Sequence, residues 1–279
     1  MPRADAIGVF VLVMLLAAPA ASQEAIAAAD VAIRVAALEN NNPDDDGAAR
    51  TSLVKMGPGA VPHLAPIVLD AERDLATRTA LVWVLGEIDS PDVQPTLTRA
   101  WKLVDMPGTF RIQVAIALAG RGTFKPLRSF LAPRQADKVL VAKAAIAAAN
   151  FKDKESLTLI RAHLDHPEIG PFMAIAACRL GDKTAAGQVR PLLKDPVFRD
   201  YAAVALAMTG DRTVLIPLRF AMENPDPFIR AEAVSALARM DDRGSLEEIA
   251  GLAKGDPDPR VRKAAKRALM RMGRGRLRR

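Results

Sequence analysis

A turn signal returns about every thirty residues along the whole chain, and a fixed period of that size restricts the fold more than any other feature. The marks are Gly57, Gly86, Gly120, Asn150, Gly181, Gly210, Asp241 and Gly273, at steps of 29, 34, 30, 31, 29, 31 and 32 residues. They sit in segments such as Leu85-Gly86-Glu87-Ile88-Asp89, Leu180-Gly181-Asp182-Lys183 and Thr209-Gly210-Asp211-Arg212. Self-similarity at this period means stacked supersecondary units, each burying its apolar face against the next. Length alone suggests two globular domains; the repeat replaces them with one elongated domain.

The stretch before each mark reads as a helix. Large apolar residues fall at Phe198, Tyr201, Val204 and Met208, at Ile229, Ala233, Leu237 and Met240, and at Val261, Ala265, Leu269 and Met272. That spacing draws a stripe along a helix, and the many alanines favour helix and close helix approach. The Gly, or Asn150, stands where a helix C-terminus takes the left-handed conformation. A second, shorter helix follows, often with Pro beside Leu, as at Pro62, Pro95, Pro126, Pro191 and Pro217. Pro in a first helical turn costs little, and Pro placed deeper bends the helix; the sequence leaves both open. Breaker clusters such as Asp165-His166-Pro167, Asp195-Pro196, Asn224-Pro225-Asp226-Pro227 and Asp256-Pro257-Asp258-Pro259 close the units.

Three units share a further detail. Asp195 precedes Arg199 by four residues, Asp226 precedes Arg230 by four, and Asp258 precedes Arg262 by four. This Asp-Pro-x-x-Arg-x-x-Ala pattern, with the Leu-Gly-Asp turn, closely resembles HEAT repeats, in particular the bacterial HEAT-like repeats first noted in phycobilisome lyases. The resemblance covers roughly residues 47 to 273 and is strongest in the last three units. It implies an all-α fold, an α-solenoid of about eight two-helix HEAT-like repeats forming a superhelix, with 23–39 as the first helix and 259–272 as the last. It also implies that Asp195, Arg199, Asp226, Arg230, Asp258 and Arg262 form a structural ladder of hydrogen bonds between adjacent repeats.

Residues 1–22 read as a signal peptide. Arg3 and the free amine make a modest positive start, an uncharged apolar run follows from Ala6 to Ala18, and Ala18-Pro19-Ala20 and Ala20-Ala21-Ser22 offer small-residue cleavage sites. The competing reading is a retained membrane anchor, for which the run is short and broken by Pro19. Export places the mature chain, residues 23–273 plus a tail of 274–279, in the periplasm or outside the cell, with no retained transmembrane helix. The single Cys178, in Ala176-Ala177-Cys178-Arg179-Leu180, reads as a small core residue.

The net charge of +7 is concentrated at one end. The last twenty residues hold ten Lys or Arg and no acid, whereas the rest holds 29 basic and 32 acidic residues. Arg260, Lys263, Lys266, Arg267 and Arg271 avoid the apolar stripe of the last helix, and Arg274, Arg276, Arg278 and Arg279 extend it. Two readings compete. One is a solvated cap on the terminal repeat. The other is a partner-binding or anion-binding arm for lipid headgroups, an anionic envelope polymer or an acidic protein. Aromatic residues make up 4% of the chain, which argues against a base-stacking nucleic-acid surface.

No catalytic constellation, metal set or cofactor motif stands out. His163 and His166 share a helix side but read as a surface pair. HEAT-like iron hydroxylases that modify hypusine precursors carry His-Glu dipeptides; His63, His163 and His166 form none. Asn42, Asp44, Asp46 and Gly47 imitate the start of a calcium loop, but Leu53 holds the place of the bidentate Glu; an acidic helix start at Asp44–Asp46 is the other reading. These features lead to the expectation of a non-enzymatic scaffold that binds another protein in the bacterial cell envelope. The alternatives are a binder of anionic polymer, lipid or nucleic acid through the basic end, and a HEAT-like lyase.

Overall fold

A computed structural model describes residues 20–39, 43–133 and 135–274. Most of the expected signal peptide, Met1–Pro19, and the end of the basic tail, 275–279, lie outside them. The chain divides into two compact units, Met1–Leu127 and Arg128–Arg279.

In the first unit, α1 (Ala20–Glu39) and α2 (Pro43–Met56) pack together, and a 3-10 turn over Gly57–Ala60 leads into α3 (Val61–Leu69). Then come α4 (Leu75–Glu87), α5 (Val93–Trp101) and α6 (Gly108–Ala119), with α7 (Lys125–Ser129) spanning the boundary. α2, α4 and α6 lie side by side as one layer, and α3 and α5 form the second. Leu53, Leu64, Leu81, Leu85, Leu97 and Phe110 are fully buried between them. α2 runs helically through Gly47, and Arg50 holds Asp46 through a paired contact at 3.0 and 2.5 Å. A continuous helix cannot wrap oxygen ligands around one ion, so the calcium-loop imitation is set aside in favour of a helix start.

The second unit repeats the same plan with α8 (Lys138–Asn150), α9 (Leu157–Arg161), α10 (Gly170–Arg179), α11 (Ala186–Val189), α12 (Arg199–Met208), α13 (Leu215–Ala221), α14 (Pro227–Arg239), α15 (Leu246–Gly255) and α16 (Pro259–Arg274). The longer helices α8, α10, α12, α14 and α16 pack in succession, and the shorter ones back them. Buried alanines, among them Ala145, Ala148, Ala174, Ala203 and Ala236, let these axes approach. Among the described residues the chain is helical, with no strand.

The repeat is sharper in the backbone than in the sequence marks. Gly57 is left-handed after α2 (+64°), and from α6 onward the residues with left-handed φ after the long helices are Gly122 (+82°), Lys152 (+59°), Gly181 (+96°), Gly210 (+91°) and Asp241 (+53°), these five at steps of 30, 29, 29 and 31. At each of these five the next N–H reaches back five residues to a carbonyl: Thr123 to Leu118, Asp153 to Ala148, Asp182 to Ala177, Asp211 to Leu206 and Asp242 to Leu237, at 2.8–3.2 Å. This is the 6→1 bond of a Schellman cap. Gly120 and Asn150, marked from sequence, therefore sit two residues early, inside or at the edge of a helix. Gly86 lies within α4, where a Cβ would meet the Ala117 methyl at 3.2 Å, and Gly273 lies within α16.

Two further expectations are refined. Pro62, Pro95, Pro126, Pro191 and Pro217 all fall within the first three residues of their helices; Pro66, inside α3, is the exception. The apolar stripes hold only in part. In α12 Val204 is fully buried, while Phe198, Tyr201 and Met208 are half-buried and the alanines between them are covered. In α16 Leu269 is half-buried and Ala268 takes its place. An interior helix has neighbours on both sides and behind, so burial runs nearly all the way round it and blurs the stripe.

Candidate functional site

The expected Asp–Arg pairs are not bonded to one another through their side chains. Asp195 holds the turn that leads into α12, accepting from the N–H groups of Val197 and Phe198 at 2.8 and 3.3 Å. Asp226 does the same for Phe228 at 2.8 Å, and Asp258 for Arg260 at 2.7 Å. The arginines diverge. Arg199 pairs with its neighbour Asp200 at 2.8 Å and stacks over Phe220. Arg262 donates to the carbonyls of Asp256 and Pro257 at 2.6 and 2.8 Å. Arg230 donates to the carbonyls of Asn224 and Pro225, and through Nε and Nη2 it makes a bidentate bond, both arms 2.9 Å, with Asp256 at the next turn. That link ties one repeat to the next through Asp256, a residue outside the sequence pattern.

A second ladder, which the sequence reading missed, is more regular. The residue after each left-handed position from Lys152 onward receives an arginine from the preceding short helix or its continuation. Arg128 Nε bonds Asp153 at 2.8 Å, Arg161 Nε bonds Asp182 at 2.7 Å, Arg190 Nη2 lies 2.8 Å from Asp211, and Arg219 bonds Asp242 in fork fashion at 2.9 and 2.7 Å. The first unit uses a neutral version, with Gln94 Nε2 donating to Thr123 Oγ1 at 2.9 Å. Each aspartate also serves its own turn: Asp182 accepts from the Thr184 N–H and hydroxyl at 3.0 and 2.7 Å. The Arg161 guanidinium, opposed by burial and helped by Thr184, holds the Asp182 carboxyl down at about 2. Arg219 likewise holds Asp242 below the usual carboxylate range. The Arg219 guanidinium, held there by Asp242, lies where a Cβ on Gly244 would stand, so a side chain at 244 displaces it from that bond.

Four of the nine basic candidates line a groove of about 440 Å³ between α14 and α16. Arg260, Lys263, Arg267 and Arg271 line one wall, Ala238, Ala264 and Ala268 keep it narrow-sided, and Arg239 of α14 joins from the opposite wall, its Nη2 donating to the Met208 sulfur of α12 at 2.9 Å. Arg239 lies outside the basic C-terminal stretch, so composition gives no hint of it. Burial, offset by Glu232 and reinforced by the nearby Arg271 cation, pulls its guanidinium below the ordinary value. Asp258 engages Arg260 at 3.1 Å. Among the described residues no carboxylate lies within ion-pair distance of Arg239, Lys263, Lys266, Arg267 or Arg271. Lys266 is exposed and does not line the groove. The Arg274 side chain, Arg276, Arg278 and Arg279 fall outside the described residues. The comparable groove in the first unit, about 420 Å³, is lined by Leu75, Thr79, Trp83, Thr109 and Gln113 with one cation, Arg50, already held by Asp46.

The remaining chemistry-bearing residues have structural surroundings. His163 is buried, its Nε2 3.1 Å from the Leu131 carbonyl, while His166 Nδ1 accepts from the Glu168 N–H at 3.2 Å. Their bonds diverge, and no metal-holding group of His, Cys, Asp or Glu occurs among the described residues. Cys178 is buried, and burial with the nearby Asp182 charge pushes its thiol up to about 12. No helix among the described residues is long and apolar enough to cross a membrane.

Comparison with known families places the groove. The family model for HEAT repeats matches residues 217–276, the segment that carries α13 to α16. Residues 217–276 therefore match HEAT repeats. Both walls of the groove, α14 and α16, lie within the matched segment. No curated protein matches the chain. Among solved structures, human deoxyhypusine hydroxylase in complex with glycerol is similar at 15% identity, covering 80% of this chain and 98% of that one, with a TM-score of 0.38. Likeness of that size carries no functional argument.

Proposed function

We propose that this chain is a non-enzymatic HEAT-repeat scaffold that docks another protein in the bacterial cell envelope. The supporting observation is an exposed apolar pair on α13. Ile216 and Phe220, four residues apart and so on one helix face, are 65% and 54% exposed. The Arg199 guanidinium sits 5.5 Å from the Phe220 ring centroid. An aromatic anchor beside an arginine is the composition that dominates protein-binding surfaces, and a large apolar side chain left in water gains most when a partner covers it. The envelope location rests on the apolar run after Arg3 and on the small-residue cleavage sites that follow.

The test is a photo-crosslinking side chain placed at Phe220 in the exporting cell. One envelope protein is captured there and not from Gln188, an exposed control on α11, and the purified partner binds the chain but not its Phe220→Ala variant. Equal capture from both positions, or binding unaffected by Phe220→Ala, removes the docking face. Mass spectrometry of the mature N-terminus tests export: retention of Met1–Ser22 refutes cleavage.

A further inference from the structure

The groove between α14 and α16 lies on the layer of long helices, apart from the α13 pair, and has its own chemistry. We propose that it is a binding site for a linear anion made of linked phosphates, recognised through the phosphate chain alone.

Four properties carry this assignment. The first is unbalanced charge. Arg239, Arg260, Lys263, Arg267 and Arg271 line the groove; the Arg239 guanidinium meets only the neutral Met208 sulfur, and only Arg260 has a carboxylate, Asp258, at ion-pair distance among the described residues. Burial first, and Arg271 after it, pull the Arg239 guanidinium below its ordinary value against the pull of Glu232; an anion in the groove relieves that cost. The second is length. From Arg260 to Arg271 is eleven residues of helix, about 16 Å at 1.5 Å per residue. A single phosphate engages one or two of these side chains, whereas a chain engages the row. The third is that cations stand on both walls. A ligand lying between them must offer negative oxygens on both sides of its axis. Linked phosphates carry non-bridging oxygens all round, and guanidinium forks match them bidentately. An extended acidic peptide sends successive carboxylates to alternate faces with its backbone between. The fourth is what the walls lack: Ser235 and three alanines fill the rest of the lining, and no aromatic ring offers a base a stacking surface. The first-unit groove, similar in size but with one satisfied cation, shows that a seam between long helices is not cationic by construction.

The experiment measures binding of fluorescent long-chain inorganic polyphosphate to the purified full chain across a salt series. With about four phosphate contacts, log affinity falls with log salt at a slope of about −3. Arg239→Gln weakens binding about fivefold and makes the slope shallower by about 1, whereas Arg239→Lys keeps most of the affinity. Lys266→Gln removes the same charge from the same end of the chain but outside the groove, and changes affinity less than about twofold. Removing residues 275–279 lowers overall affinity without erasing the Arg239→Gln effect. The assignment is overturned if Arg239→Gln and Lys266→Gln are indistinguishable, or if polyglutamate of equal charge binds as tightly. An oligonucleotide binding more tightly than polyphosphate of equal charge also overturns it, transferring the groove to nucleic acid. Loss of the α13 docking face through Phe220→Ala leaves this binding unchanged, so the two readings fail separately.

Discussion

Replacing Asp182 by Asn keeps the shape of the turn and removes one charge from the ladder that joins consecutive repeats. The carboxylate is buried, 1% exposed, and accepts from Arg161 Nε at 2.7 Å, the Thr184 N–H at 3.0 Å and the Thr184 hydroxyl at 2.7 Å. Its folded value of about 2 lies below the ordinary aspartate value of 3.8, so ionisation favours the folded state. By linkage this difference is worth about 2 kcal/mol at neutral pH. Because Arg161 is half-exposed, solvent screening brings the expectation to about 1–2 kcal/mol. A depressed carboxylate contributes its full stability above the unfolded value and loses it as pH falls toward the folded value. The gap between wild type and Asp182→Asn therefore holds from pH 7 to pH 5 and shrinks to about half at pH 3. Urea unfolding of both proteins at pH 7, 5 and 3, followed by circular dichroism, measures that gap directly. General acid destabilisation cancels in the difference. A gap below about 0.5 kcal/mol at pH 7, or one that stays constant down to pH 3, refutes the argument that Arg161–Asp182 stabilises the stack through charge.

Other consequences can be checked with the same material. Lys152 holds a left-handed φ of +59° that glycine adopts freely, so Lys152→Gly raises stability by up to about 1 kcal/mol, while Gly181→Ala at φ +96° lowers it by about 1 kcal/mol or more, both read from urea midpoints. Gly244→Ala pushes a methyl into the Arg219 guanidinium, so it destabilises by an amount that largely disappears in an Arg219→Ala background, as a double-mutant cycle shows. The Cys178 thiol, pushed up to about 12 and buried, resists iodoacetamide at pH 8 in the native protein and reacts once denatured.

How much of this was legible in the sequence depends on which interactions leave a local trace. The repeat did, because a helix end that turns back within a few residues calls for a left-handed position, and Gly181 and Gly210 supply it openly. Lys152 hid the same position, since the following Asp153 N–H bond to Ala148 fixes the turn whatever side chain stands before it. The Asp-Pro-x-x-Arg spacing was visible but its partners were not. Asp195, Asp226 and Asp258 bond amides of their own turns and helix starts, a local task that sequence reveals, whereas Arg230 reaches 26 residues forward to Asp256. Arg161 and Asp182 are 21 residues apart and Arg219 and Asp242 are 23, on elements whose contact exists only after stacking. The basic end was legible as composition, and the α16 stripe was nearly right because a terminal helix is covered on fewer sides than α12. Its groove was not legible, because the second wall depends on Arg239, an ordinary cation at the end of α14 that becomes part of a site only when α16 packs beside it. Packing α16 beside α14 thus creates the one strongly cationic seam among the grooves described. Function in such a fold is read from the face that stacking assembles, and the charge of a segment alone does not locate it.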